Sequence, residues 1–283
     1  MKIQKSNINP TPTLYLVPTP IGNFDDMSFW SVEVLKNVDL IYCEDTRVTK
    51  VLLSHFNITT PLKSYHIFNE NSRCEEILNN LRNGLNIALV SDAGLPCISD
   101  PGFLISKYVI ENEYNVISLP GASASLTALI ASGLPNDKFY FNGFLNSKQS
   151  QRIKQLQELI NKEETLIIYE APHRIIETLN DIYKVFGNRN IVIARELTKK
   201  YEEYIRGSLE DIINNISELK GEIVLIIEGC KEKKEVLDLN SKTILEHFRY
   251  YKEKGNSDND AMKLVAKDRG VSKNVIYKEI KVQ

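Results

Sequence analysis

Ile87-Ala-Leu-Val-Ser-Asp92-Ala-Gly-Leu-Pro-Cys-Ile-Ser-Asp-Pro-Gly102 opens with a short apolar run and continues into a long turn. A run of that length, bounded by turn residues, predicts a strand. The turn carries two Asp, two Gly and two Pro, which is more specialised than a connector needs. In an open parallel sheet, ligands bind in the crevice beyond the carboxyl ends of the strands. This turn is therefore the first place to expect a small molecule.

Working outward, similar strands are predicted at Leu14–Val17, Asp39–Cys43, Leu62–Tyr65 and Val116–Leu119. Helices are predicted between them. Asp25 and Ser28 are offered as caps for one ending near Asn37. Val51, Leu52 and Phe56 give the core spacing of a second, and Ser72 caps a third through Ile77, Leu78 and Leu81. Two more run from Phe103 to about Glu113 and from Ser123 to Ser132. Strands alternating with helices predict βαβ crossovers and a mostly parallel sheet. A second set follows: strands at Phe139–Phe144, Thr165–Tyr169, Asn190–Glu196 and Gly221–Glu228, with helices at Gln149–Asn161 and Arg174–Phe186. Tyr201–Ile205 alternates and is a candidate antiparallel partner for Asn190–Glu196. Lys231–Glu235 reads as a linker, and three helical patterns lie beyond it. The expected architecture is α/β: a domain over 1–137, a second α/β domain over 138–235 that completes a cleft, and a helical segment over 236–283.

The chain has 283 residues, 42% of them hydrophobic and 25% charged, as in a soluble globular protein. No apolar run reaches membrane-spanning length, and the polar N-terminus lacks the apolar core of a signal peptide. Cys43, Cys74, Cys97 and Cys230 are scattered, which predicts a reduced cytoplasmic protein without structural zinc, each cysteine acting as a small buried hydrophobe. Net charge is −2, but residues 241–283 carry ten Lys/Arg and six Asp/Glu, a net of +4 that leaves −6 on the remainder. A basic tail on an acidic body points to a local contact with phosphates or another acidic partner, or else to a solvated appendage.

No two glycines stand two apart, so the G-x-G-x-x-G dinucleotide fingerprint is absent, as is the G-x-x-x-x-G-K-[ST] phosphate loop. Gly121-Ala-Ser123-Ala-Ser125 approaches a hydrolase nucleophile elbow, with Ser125 in place of the last glycine. His173 is available to such a hydrolase, but no acid completes the set. The alternative is that Gly121, Ala122 and Ser123 let a ligand approach closely. Glu44-Asp45-Thr46-Arg47 sets two carboxylates and a guanidinium at a strand end, where Arg47 suits bidentate recognition of phosphate or carboxylate. Capping of the next helix by Asp45 or Thr46 explains the same residues. His66 and Glu70 end the third strand, and Glu170-Ala-Pro-His-Arg174 ends a strand of the second set. No pair has zinc-ligand spacing, so no metal is predicted. In the tail, a helix, the turn Asp268-Arg-Gly-Val-Ser272 and a further helix have helix-turn-helix form, flanked by Lys263, Lys267, Lys273 and Lys278. Packing of three helices as a cap is the alternative.

Leu16-Val-Pro-Thr-Pro-Ile-Gly-Asn23, Glu44–Arg47, Ser91–Gly94, Ser99–Gly102, Pro120–Ser123, Glu170–Arg174 and Ala194-Arg-Glu-Leu-Thr198 together resemble the ribosomal RNA small subunit methyltransferase I family. That family belongs to the tetrapyrrole-methylase-like superfamily of S-adenosylmethionine enzymes. The resemblance runs in order from about Leu14 to Glu228. It implies two α/β domains with the cofactor between them, a homodimer, and 2′-O-methylation of a cytidine ribose in the decoding region of 16S ribosomal RNA. The partner is then 16S ribosomal RNA or the small ribosomal subunit, with no membrane and no metal. Carried over by position, the cofactor lies against Pro20, Asp92, Ala93, Gly94, Leu95, Ser123 and Ala124. Tyr169, Ala171 and Ala194 line its other side. Glu44, Asp45, His66 and Glu70 are candidates to take a proton from the ribose hydroxyl. Glu44 or Glu70 orients that hydroxyl, while Arg47 grips an RNA phosphate or a neighbouring carboxylate. A methylase of a small tetrapyrrole and a non-catalytic RNA-binding module are the rivals.

Overall fold

A computed structural model describes residues 3–5, 11–231, 239 and 242–281, so the predicted linker lies, beyond Lys231, outside the described residues. The chain forms two compact units, Met1–Cys230 and Lys231–Gln283.

The first unit begins with a sheet of five parallel strands: β1 (Thr13–Val17), β2 (Leu40–Cys43), β3 (Leu62–Ser64), β4 (Ile87–Val90) and β5 (Asn115–Ser118). Their order is β3-β2-β4-β1-β5, with β4 at the centre and every residue of Ile87–Val90 buried. Between and after them run α1 (Phe29–Asn37), α2 (Thr46–His55), α3 (Glu70–Arg82), α4 (Phe103–Glu111) and α5 (Ala124–Ser132). The pleat divides each apolar run between two faces. Leu14, Tyr42, Ile87 and Leu89 pack with Ile77 and Leu81 of α3 and with Ile105 and Val109 of α4. Val17, Ile41, Ala88 and Val90 pack instead with Val34 and Leu35 of α1 and Leu53 of α2. Covered on both faces, the strands need no polar alternation, which is why they read as continuous apolar runs.

Several local expectations shift. Ser28 does cap α1, its side chain accepting from the Ser31 amide. Asp25 instead sits inside a single 3₁₀ turn that Asn23 caps. Val51 faces solvent, and the buried residues of α2 are Thr49, Leu52 and Leu53. Ser72 lies within α3, which starts at Glu70. Its hydroxyl turns back to the Asn69 carbonyl, as serine does inside a first turn.

The second sheet has five strands: β6 (Phe139–Phe144), β7 (Thr165–Glu170), β8 (Asn190–Arg195), β9 (Glu203–Ser208) and β10 (Ile223–Ile227), in the order β6-β7-β10-β8-β9. β6 and β7 are parallel, while the β7/β10, β10/β8 and β8/β9 pairs are antiparallel. The sheet is mixed, and the alternating segment after Tyr201 does pair with β8. One face packs on α6 (Gln149–Leu159), α7 (Ile175–Phe186) and α8 (Leu209–Asn215), with Leu156, Leu179, Ile182 and Ile212 reaching in. The seven-residue α8 escapes a periodicity reading because it buries only Leu209 and Ile212.

The other face is covered by α5 from the first half of the chain. Ala128 and Leu129 pack against Ile167, Val192, Val224 and Ile226. The Arg206 guanidinium on β9 donates to the Ala131 and Ser132 carbonyls, satisfying carbonyls at the end of α5. Sequential reading assigns α5 to the first sheet, but its apolar face belongs to the second.

The second unit holds α9 (Ile244–Glu253), α10 (Asp258–Arg269) and α11 (Lys273–Lys281) around Val265, Ala266 and Ile276. Thr243 and Glu246 form a capping box, and Gly270 takes the left-handed conformation (φ 65°) between α10 and α11. His247 is fully buried, its Nδ1 accepting from Arg269 Nε and its Nε2 3.2 Å from Asp268. The three helices predicted here are therefore a packed unit with its own small core. Among the described residues, no helix is long and apolar enough to cross a membrane.

Candidate active site

The turn after β4 is fixed from several directions. Thr19, just past β1, exchanges both backbone hydrogen bonds with Gly94, at 2.9 and 3.0 Å. The Thr19 hydroxyl donates to the Ser91 carbonyl and the Ser91 hydroxyl to the Gly94 carbonyl. Gly94 sits at φ +83°, which favours glycine, and a Cβ there would press on the Ile21 side chain at 3.3 Å. Asp92 Oδ1 accepts from the Asp45 amide at 3.0 Å, which ties the end of β4 to the end of β2. Gly121 passes so close to the Pro18 ring that any Cβ would collide with it.

These loops face the second sheet across a cavity of about 420 Å³, within the range of small-molecule sites. Asp92, Ala93, Gly94, Leu95, Ser123, Ala124, Tyr169 and Ala171, the positions that the resemblance sets against the cofactor, all line it. Pro20 and Ala194 are not on its wall. Pro20 is buried beside Ile21, which is. Ala194 is fully buried on β8, and its register partner Val224, also buried, is the one of the pair that lines the cavity. Sequence reasoning missed Asp100, Phe144, Glu170 and Glu222 on the wall. Asp100 lay within the turn already singled out. Phe144 and Glu222 gave no signal, because only the β6-β7-β10 order brings their strand ends to the cleft.

The aromatic side of the cavity is closely packed. Tyr169 packs edge-on against Phe141 and Phe144, with ring centroids 5.1 and 5.5 Å away. Burial pushes its phenol up, and a hydrogen bond with Ser125 joins it to α5. The Ser123 hydroxyl lies 3.1 Å from that of Ser125, and Ser123 makes no side-chain cap to α5. Below them the Glu170 carboxylate is buried and satisfied by Arg174 (2.6 and 3.0 Å), the Thr178 hydroxyl and the Ala171 amide. The Glu170-Ala171-Pro172 turn is thereby locked against the cavity.

The acidic side is different. Burial, with Asp92 close by, holds the Glu44 carboxyl above its ordinary value. Burial does the same for Asp92. Asp100 is pushed up to about 6 by burial and by the negative charges of Glu44 and Asp92. Asp45 is the exception: bidentate hydrogen bonds from Arg47 hold it down at about 2. Arg47 is exposed, and Glu70 starts α3 with the Tyr65 hydroxyl 3.4 Å away. The structure thus gathers Glu44 and Asp45 beside Asp92 and Asp100, while Arg47 and Glu70 stand outside the cavity wall.

The raised Asp100 carboxyl has a sign that can be checked. Its folded value exceeds the unfolded one, so its ionisation opposes folding. That cost appears as pH rises from about 4 through about 6 and is then constant. Asp100→Asn is expected to stabilise the protein at pH 7 by about 1 kcal/mol, after discounting for partial solvent screening, or roughly 2–4 °C in melting temperature. The gain disappears below pH 4. Thermal melts of both proteins at pH 4 and pH 7 test it, and an equal difference at both values sinks it.

Two joined sheets, the first wholly parallel, with a ligand-sized cleft walled by their loops, are an architecture shared with solved methyltransferase structures. A structure called diphthine synthase superposes with TM-score 0.60 at 14% identity, over 76% of this chain and 90% of that one. One of uroporphyrin-III C-methyl transferase from Thermus thermophilus, complexed with S-adenyl homocysteine, gives 0.54 at 16% identity, over 76% and 97%. Residues 13–213 match the family model described as Tetrapyrrole (Corrin/Porphyrin) Methylases. Ribosomal RNA small subunit methyltransferase I of Bacillus subtilis (strain 168) is 47% identical over 269 residues, 93% of this chain and 92% of that protein. Its counterpart in Streptococcus pyogenes serotype M18 is 41% identical over 283 residues, 99% of each. The chain belongs to the tetrapyrrole methylase family and, within it, to the ribosomal RNA small subunit methyltransferase I family.

Proposed function

We propose that this protein transfers a methyl group from S-adenosylmethionine to the ribose 2′-hydroxyl of a cytidine in 16S ribosomal RNA. The observation that carries the reading is the cleft between the sheets, one wall carboxylate-bearing and the other aromatic, in a chain so close to ribosomal RNA methyltransferases. Its residues fit the donor. Asp92 and Asp100 supply negative charge to a cation, Gly94 leaves room where a Cβ would intrude, and Tyr169 and Phe144 offer flat apolar faces. When bound, S-adenosylmethionine supplies an electrophilic methyl on a positively charged sulfur. Asp92, Ala93, Gly94, Leu95, Ser123 and Ala124 hold it from one side, and Tyr169 and Ala171 from the other. Pro20 and Ala194 act from beside the wall, as neighbours of Ile21 and Val224.

The remaining work is alignment. Most of the acceleration comes from holding hydroxyl and methyl in line. In this reading Glu44 and Glu70 orient the ribose, and Arg47, kept in place by Asp45, offers its exposed edge to an RNA phosphate. Residues 1–137 and 138–235 act as two lobes, and 236–283 as an RNA-binding segment. The protein works in the cytoplasm as a homodimer, for which exposed Phe29, Trp30, Phe103 and Ile130 supply apolar surface.

The direct test is mass spectrometry of 16S ribosomal RNA incubated with the purified chain and methyl-labelled donor. A mass gain of one methyl on a cytidine ribose is expected, and label transferred to a tetrapyrrole but not to RNA would overturn the reading. A second test concerns the basic unit. Lys267 and Lys278 are exposed on α10 and α11. Changing both to Gln is expected to flatten the salt dependence of RNA affinity by roughly 1.5–2 log units per log unit of salt. Donor affinity stays unchanged, and an unaltered salt slope rules these lysines out as phosphate contacts.

A further inference from the structure

An aromatic ring held in water at the rim of a reaction site costs free energy unless something covers it. Single exposed apolar side chains are ordinary, so place and posture decide what they mean. Phe68 is 94% exposed, and Ile67 beside it 66%. Both lie in the turn that joins β3 to α3, and that turn is closed. Asn69 Oδ1 accepts from the His66 amide at 2.8 Å, and the Asn69 and Glu70 amides donate to the His66 carbonyl at 2.9 and 3.0 Å. Asn69 Nδ2 donates to the Ser64 carbonyl at 3.3 Å. The His66 ring meets the Phe68 ring edge-on, centroids 6.0 Å apart. The backbone therefore holds the phenyl group outward, ready for a ligand at little further ordering cost.

The sheet gives this turn its neighbours. Outward from the centre, the strands run β4, β2, β3. The end of β4 carries the loop on the cavity wall, the end of β2 carries Glu44, Asp45 and Arg47, and the end of β3 carries His66, Ile67 and Phe68. The Tyr65 amide donates to the Cys43 carbonyl at 2.7 Å, so the last two loops leave the sheet side by side, one strand spacing or about 5 Å apart. Burial raises the Glu44 carboxyl, and His66 lies close enough to pull it part of the way back. An exposed guanidinium and an exposed ring thus stand on adjacent strand ends. Single-stranded nucleic acid is bound by that pairing: a cation for backbone phosphate and a flat apolar face for a base. An apolar protein partner would suit Phe68 and Ile67 but would bury Arg47 and its neighbouring carboxylates at a cost.

We propose that Phe68 is the platform on which an unpaired base of the RNA acceptor stacks, with Ile67 widening the apolar face and Arg47 holding an adjoining phosphate. The inference rests on the RNA methylase reading. Stacking reads no sequence, because every base has a flat face. Phe68 therefore favours RNA whose bases are free of a helix and brings that strand beside Glu44. It takes no part in bond making.

The experiment compares wild type, Phe68→Ala, Phe68→Leu and Phe68→Trp, each with 16S ribosomal RNA and methyl-labelled donor. Phe68→Ala is expected to weaken RNA affinity roughly 5- to 150-fold. Its kcat at saturating RNA, donor Kd and melting temperature stay at the wild-type values, since so exposed a ring supports neither donor nor core. The loss is the same at low and high salt, because no phosphate contact has gone. Phe68→Leu keeps apolar surface without a ring and recovers little. Phe68→Trp keeps wild-type affinity, and the emission it adds to that of Trp30, the one tryptophan of the chain, is quenched when RNA binds. The proposal is overturned if Phe68→Ala binds RNA as tightly as wild type, if Phe68→Leu restores affinity as fully as Phe68→Trp, or if RNA leaves the added emission unmoved. It is equally overturned if Phe68→Ala changes the sedimentation of the protein, which makes the ring an interface between copies of this chain. Absence of RNA methylation by wild type would instead sink the parent reading, and this one with it.

Discussion

Asp92→Asn is expected to lower affinity for S-adenosylmethionine by 10- to 100-fold while leaving the fold intact. The substitution keeps the oxygen that accepts from the Asp45 amide, so the brace between the ends of β4 and β2 survives. What it removes is one negative charge on the cavity wall, already held above its ordinary pKa by burial. A unit charge pair about 4 Å apart is worth about 4 kcal/mol at an effective dielectric near 20. The cleft is open to water, so about 1.4–2.7 kcal/mol of that should be felt, which is the stated range. Asp92→Ala should do worse, because it also strips the Asp45 amide of its acceptor. Calorimetric titration separates the two. A donor Kd for Asp92→Asn within twofold of wild type would show that the charge is not what holds the ligand.

The largest effect on stability is expected far from the cleft. Arg152 on α6 is completely buried, and its guanidinium meets the Asp181 carboxylate of α7 at 2.7 and 2.8 Å. Asp181 is itself buried and also accepts from Gln149. Asp181→Ala leaves a buried guanidinium without its counter-charge, which costs about 3–5 kcal/mol. For a unit of this size that is a fall of roughly 6–20 °C in melting temperature. Calorimetric melts check it, and a change under about 2 °C would mean that water or the Glu177 carboxylate, 3.5 Å from Arg152, takes over. Neither residue stood out in the sequence, since the partners are 29 positions apart on two helices.

The core strands were legible because β4 and β10 are runs of apolar residues buried on both faces, cut off by turn residues at their ends. Helix detail was less so. Val51 fits a 3.6-residue period as well as Leu53 does, and only docking onto β2 decides which of them is buried. Ser72 is as good a cap as Asn69 on composition alone, and the turn closed by His66 and Asn69 selects the latter position. In the cleft, the loop after β4 declared itself through its Gly, Pro and Asp content. The opposite wall did not. Phe144 and Glu222 are ordinary strand-end residues until the antiparallel return of β10 beside β7 places them together. Ala194 lies on the same face of the same sheet but one strand further over, since β10 and not β8 reaches the cavity wall.

The crossing of α5 onto the second sheet limits how the chain can be divided. A fragment ending at residue 137 would carry Ala128 and Leu129 bare, and the complementary fragment would expose Ile167, Val192, Val224 and Ile226 to water. Both pieces would be sticky, and a split-protein reporter cut there should aggregate before it reassembles. Shuffling of halves between cousins of this enzyme is therefore a poor route to new acceptors, and exchange of strand-end loops a far better one.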